Sequence, residues 1–171
     1  MCDRHIYFFA IFLLLFQYFL LSLWANNKKT YDMKYKFQVK VFMTYNDDEI
    51  EEQIDLSDEE VKTIKALVAD YMKHQKPAAP SEYVPETSLL QILQDGNKEL
   101  FNKFWWDNIY RPVFVKMLVN GIENGHIEQY PQDDFDYDNE DDFDDIQDMY
   151  SDDIELEHSS CCICRIPEDW K

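Results

Sequence analysis

His158-Ser159-Ser160-Cys161-Cys162-Ile163-Cys164 gathers four potential zinc ligands near the C-terminus. Structural zinc takes imidazole and thiolate ligands at tetrahedral positions, usually from C-x2-4-C knuckles. The spacing here is H-x2-C-C-x-C, and an extended strand points Cys161 away from Cys162 and Cys164. The four side chains then cannot converge, so the cysteines are expected as small core residues. A reactive thiol is the remaining chemistry open to them.

A second pattern has the form of a calcium loop. Asp134, Asp136, Asp138, Glu140, Asp142 and Asp145 occupy positions 1, 3, 5, 7, 9 and 12. Alternating oxygen ligands suit the ion. The departures count against it: position 6 is Asn139 rather than glycine, position 8 is Asp141 rather than apolar, and Asp145 is shorter than the usual glutamate. Diffuse cation attraction is expected there rather than a specific site. No metal ligand and no cofactor is assigned; calcium at the acid run or zinc at the cysteines stays as the alternative.

No enzyme is expected. The chain lacks G-x-S-x-G, G-x4-G-K-[ST], H-E-x-x-H and G-x-G-x-x-G, and its three glycines leave little for phosphate-cradling loops. His74 and His126 stand alone, as helix-end or loop residues. Trp105-Trp106 lies on a helical face, with one indole expected in the core and the other at the rim, where it could anchor a partner.

The strongest signal is charge. Fourteen Asp and Glu fall within residues 131–157, and no lysine or arginine occurs between Asp133 and Glu157. The net charge is −19. Such a chain repels nucleic acid and anionic lipid and attracts cationic surfaces. The run contains an imperfect repeat, Asp133-Asp134-Phe135-Asp136 and Asp141-Asp142-Phe143-Asp144, with aromatics interleaved. Self-repulsion predicts a disordered loop that orders on binding. The partner-binding residues expected are Asp133, Asp134, Phe135, Asp136, Tyr137, Asp138, Asp142, Phe143, Asp144 and Tyr150. The acids would steer towards a basic protein surface while the aromatics bury as anchors.

The elements holding this segment are readable from periodicity. Tyr35, Phe37, Val39, Val41, Met43 and Tyr45 alternate with Lys34, Lys36, Gln38, Lys40 and Thr44, which predicts a half-buried strand. Asn46-Asp47-Asp48 is turn chemistry, and Ile50, Ile54 and Leu56 continue a second strand whose glutamates face the lysines. Ser57-Asp58-Glu59-Glu60 is a capping box, followed by Val61, Ile64, Leu67, Val68, Tyr71 and Met72 at helical spacing up to Pro77. A short helix is expected over 86–95, ended by Gly96. Another carries Leu100, Phe101, Phe104, Trp105 and Ile109, and Pro112 ends it or begins the next. The alternation from Asp153 to Ile166 predicts a long closing strand. The fold expected is α+β: a small antiparallel sheet, built from the N-terminal hairpin and the C-terminal strand, covered by three to four helices. Its divisions are a hydrophobic leader (1–32), the α+β body (33–130), an acidic low-complexity loop (131–153) and a C-terminal strand (154–171).

Ile6 to Trp24 is long and apolar enough to cross a bilayer. Translation from Met33, a membrane anchor and a signal peptide are the three readings open to it. Lysines after the stretch would keep the body on the cytosolic side. Cysteines crowded at 161, 162 and 164 fit a reducing compartment, since such neighbours bridge only under strain. The protein expected is therefore cytoplasmic, or inner-membrane anchored with its body in the cytosol as an accessory subunit. It would act by docking a basic partner surface, without direct nucleic-acid contact, and would meet a membrane only if residues 6–24 are an anchor.

Overall fold

Alternation between Met33 and Leu56 sets the sheet. The computed structural model describes residues 33–44, 46–75, 86–129 and 139–171, with the backbone alone for Glu140 and Asp141. The hydrophobic stretch at residues 6–24 and the acids from Asp133 to Asp138 lie outside the described residues. Strands β1 (Met33–Val41) and β2 (Asp48–Leu56) pair antiparallel, with Val39 opposite Ile50 and Tyr35 opposite Ile54. A short β3 (Cys162–Cys164) pairs with the other edge of β1, placing Cys164 opposite Val39. The order is β2-β1-β3.

One face of this sheet is covered. Phe37, Val39, Val41, Ile54, Leu56, Cys162 and Cys164 are buried there, while Lys34, Lys36, Gln38, Glu51 and Asp55 are exposed on the other face. On that open face Lys36 pairs with Glu51, Lys40 with Asp47 at 2.9 Å and Arg165 with Glu49 at 2.8 Å. Each such exposed pair is worth about 1 kcal/mol or less.

Glu52 breaks the pattern. It lies on the covered face opposite Phe37, between Ile50 and Ile54, and is partly buried. Burial raises its carboxyl above the ordinary 4.5. A folded-state value above the unfolded one means stability is gained as pH falls through it and is missing at neutral pH. Glu52→Gln should therefore stabilise the neutral protein and raise its Tm at pH 7. It should also remove the Glu52 share of any gain on acidification; thermal melts at pH 7 and pH 4.5 read both effects.

The capping box forms as its residues dictate. Helix α1 (Asp58–His74) starts with the Ser57 hydroxyl accepting from the Glu60 N–H at 3.3 Å and the Ser57 N–H donating to the Glu60 carboxylate at 2.7 Å. Ile64 and Val68 face the core. The other Glu60 oxygen takes Lys103 Nζ at 2.7 Å, tying α1 to a later helix. Helix α2 (Leu89–Gly96) buries Leu89, Leu90, Ile92 and Leu93. Gly96 serves close approach: a Cβ there would meet Leu67 Cδ2 of α1 at 2.6 Å.

Pro112 lies in the first turn of a helix that continues the preceding one without a break. Helix α3 (Lys98–Phe104), a π-turn (Trp105–Ile109) and helix α4 (Tyr110–Glu123) run on continuously, with the Tyr110 N–H bonded to the Trp105 carbonyl. Inside a helix a proline removes one N–H and crowds the carbonyl four residues back, here that of Asn108. The wide turn supplies the room, as π-bulges do. It also sets the two adjacent indoles apart: Trp105 is 2% exposed and Trp106 55%.

Two sequence expectations are corrected. The acid run is not a disordered loop throughout, because Glu140–Tyr150 forms helix α5. Phe143, Ile146 and Tyr150 recur at helical spacing and pack with Phe114 and Leu118 of α4 in a second apolar cluster. Asp142 in its first turn also favours the helix dipole. The expected strand from Asp153 to Ile166 is reduced to Cys162–Cys164. Residues His158–Cys161 make a single helical turn, α6, with the Cys161 N–H on the Glu157 carbonyl at 2.9 Å. That turn brings Cys161 inward, where strict alternation would have placed it outward. Its carbonyl accepts from the Phe42 N–H at 2.8 Å, and the chain joins β1 only afterwards. A closing 3-10 turn (Glu168–Trp170) sets Trp170 edge-on to Tyr35 and Phe37, with ring centroids at 5.7 and 5.6 Å.

The architecture is α+β, a three-stranded antiparallel sheet with helices on one face, and the described residues belong to one compact unit, Met33–Lys171. Among them no helix is long and apolar enough to cross a membrane.

Candidate functional site: an acidic helix beside an aromatic groove

Of the residues expected to bind a partner, Asp142, Phe143, Asp144 and Tyr150 are described. The structure separates them by chemistry. Phe143 is 9% exposed and Tyr150 1%, so both are held by the chain's own core. Phe143 stands edge-on to Phe114 at 5.7 Å and to Tyr110 at 6.4 Å, with the Arg111 guanidinium 5.4 Å above its ring. They are therefore not free anchors. Asp144, Asp145 and Asp148 are exposed along α5, and Asp142 is partly buried. Asp152, Asp153, Glu155 and Glu157 continue the exposed acids beyond it. The result is a ridge of carboxylates fixed on a docked helix.

An aromatic track leads away from this ridge. Gln147 of α5 donates to the Tyr110 hydroxyl at 3.2 Å. The Tyr110 ring lies 5.0 Å from Trp106 and 5.6 Å from Trp105. Beyond Trp106 a groove of about 390 Å³ opens between α2, the π-turn and α6, lined by Phe101, Trp105, Trp106, Leu156 and His158, with Glu157 and Gln94 among its polar residues. Sequence reading singled out Trp106 through its neighbour but missed Gln94 and Glu157. Three distant segments meet here, and no local spacing announces that.

His158 is held in the groove from three sides. Its Nε2 lies 2.9 Å from Gln94 Oε1, and its ring is edge-on to Phe101 at 4.9 Å and to Trp105 at 5.8 Å. Burial among these rings pushes its pKa below the ordinary 6.5, against the opposing pull of Glu157 and Asp95. Folding thus favours the neutral ring. Stability is complete above the unfolded value and is lost as pH falls from about 6.5 towards the depressed folded value. Urea midpoints measured from pH 8 to pH 5 should fall for the wild type and fall less for His158→Gln.

The cysteines make a core. Cys161, Cys162 and Cys164 are free and buried. The Cys162 thiol hydrogen bond pushes Cys161 down and Cys162 up, and burial pushes Cys164 up to about 12. Among the described residues no group of three or more His, Cys, Asp and Glu is placed to hold a metal ion. For the calcium pattern, α5 begins at its position 7, so the Glu140 carbonyl is directed along the helix axis.

A wider groove of about 690 Å³ between α1 and α3 is also acidic, lined by Glu59, Glu99 and Asp107, while its Lys103 is already paired with Glu60. Comparison of the chain with protein-family models, with curated proteins and with solved structures found no match.

Proposed function

We propose that this chain is a small acidic binding protein that engages a basic protein surface and acts by binding rather than by catalysis. The observation that carries the reading is the division of labour on α5: Phe143, Ile146 and Tyr150 face inward, and Asp144, Asp145 and Asp148 face solvent. A helix that uses its apolar stripe to dock on its own body holds its charges at fixed positions. Fixed charge gives electrostatic complementarity and a fast approach. Relative to a disordered acid segment, less ordering remains to be done when the partner arrives.

The compartment proposed is the cytosol, supported by three neighbouring free thiols. Self-repulsion argues against direct contact with nucleic acid.

The test compares two triple variants of equal net charge against a defined cationic peptide. Asp144→Asn/Asp145→Asn/Asp148→Asn removes the ridge, and Asp55→Asn/Asp70→Asn/Glu123→Gln removes three exposed acids elsewhere. The reading requires the first to weaken binding much more than the second. Equal weakening would mean that the chain merely attracts polycations.

A further inference from the structure

We infer that the groove between α2, the π-turn and the His158 turn takes an arginine side chain of the basic partner, its guanidinium stacked on Trp106 and bonded to Glu157. This rests on the basic-partner reading above and goes beyond it by naming the residue recognised.

The groove combines three things that an arginine needs. The first is an open indole. Tyr110 sits against Trp106 at 5.0 Å, yet the residue remains 55% exposed. Of the aromatic rings, indole is the best for a cation. The second is a set of acceptors at the rim. The carboxylate of Glu157 lines the groove and is exposed, Asp95 adds negative charge within electrostatic reach of His158, and the Gln94 amide oxygen, already bonded to His158, has a second lone pair. The third is the absence of a competing cation: among the described residues no lysine or arginine lines the groove, and burial favours the neutral His158 ring.

These features favour arginine over the other residues of a basic surface. A guanidinium is planar, so it stacks on an indole while its edge donates to a carboxylate. A lysine ammonium is more strongly hydrated and cannot do both as well. A neutral aromatic ligand would leave the rim carboxylate without a partner. The Tyr110 bridge to Gln147 places the groove next to α5. One partner can then meet the ridge with several charges and the groove with one side chain.

The experiment uses the full chain and two cationic peptides that differ at a single central position, arginine in one and its neutral isostere citrulline in the other. Calorimetry gives the affinities. The arginine peptide should bind about tenfold more tightly. Trp106→Ala and Glu157→Gln should each bring it to within about twofold of the citrulline peptide, and both residues are exposed enough for the variants to fold. The Asp144/Asp145/Asp148 triple variant should weaken both peptides alike and leave their ratio intact. Equal binding of the two peptides to the wild type, or a ratio unchanged in both groove variants, overturns the inference. If binding still depends on α5 in those cases, the basic-partner reading survives alone. If neither peptide binds, both fall.

Discussion

Truncating Phe143 to alanine is expected to cost about 3 kcal/mol, the range for a buried phenylalanine in a packed cluster. The ring is shared among Phe114, Tyr110 and the Arg111 guanidinium, so its loss removes edge-to-face and cation–π contacts as well as area. The remaining apolar stripe, Ile146 and Tyr150, must then hold α5 against its own charge. Asp144 and Asp148 stand four residues apart on one helix, an arrangement that opposes helix formation. The loss should therefore appear first as undocking of α5. The main core, built around Phe37, Phe104 and Trp105, is a separate cluster and should persist. A protease specific for acidic residues would read this, cutting within 140–150 far faster in the variant while the β-hairpin stays intact. Equal cleavage in variant and wild type would mean that the ring holds nothing.

Neutralising Asp144, Asp145 and Asp148 together should slow association with a basic partner at least about tenfold at low salt, because steering by a fixed charged surface raises on-rates by factors of about 10 to 1,000. The wild type and the triple variant should converge as salt rises, since screening acts within a few ångströms at about 1 M. Dissociation should change less, because long-range charge acts chiefly on encounter. The same substitution should stabilise α5 itself, by relieving repulsion along the helix. Folding and binding thus respond in opposite directions, which separates a docking defect from a folding defect. Stopped-flow association at two salt concentrations, with a melt of each protein, gives both signs.

The sheet and the first helix were legible because their signals are local. Alternation from Tyr35 to Val41 states which face is covered, and Ser57 with Glu60 states where α1 starts. Other features depend on what a segment meets. Asp153 to Ile166 alternates as a strand would, yet β1 offers β3 only Val39 to Val41 as partners. Alternation describes an extended chain and cannot name its neighbour. In the acid run, charge density argued for disorder while Phe143, Ile146 and Tyr150 already carried helical spacing. The spacing won because α4 presents Phe114 and Leu118 to receive it. The carboxylates of the candidate site were therefore visible in advance, but the role of its aromatics was not. Phe143 and Tyr150 serve the fold, and the open ring is Trp106, turned outward at a π-turn that neither propensity nor periodicity marks.

The account depends on α5 being docked before any partner arrives. Amide hydrogen exchange of the free full chain tests this directly. The account predicts that the amides of Phe143 to Tyr150 exchange about 100-fold or more slowly than an unstructured reference, as a packed element does. Exchange of that segment at unprotected rates, with α4 and the sheet still protected, would contradict it.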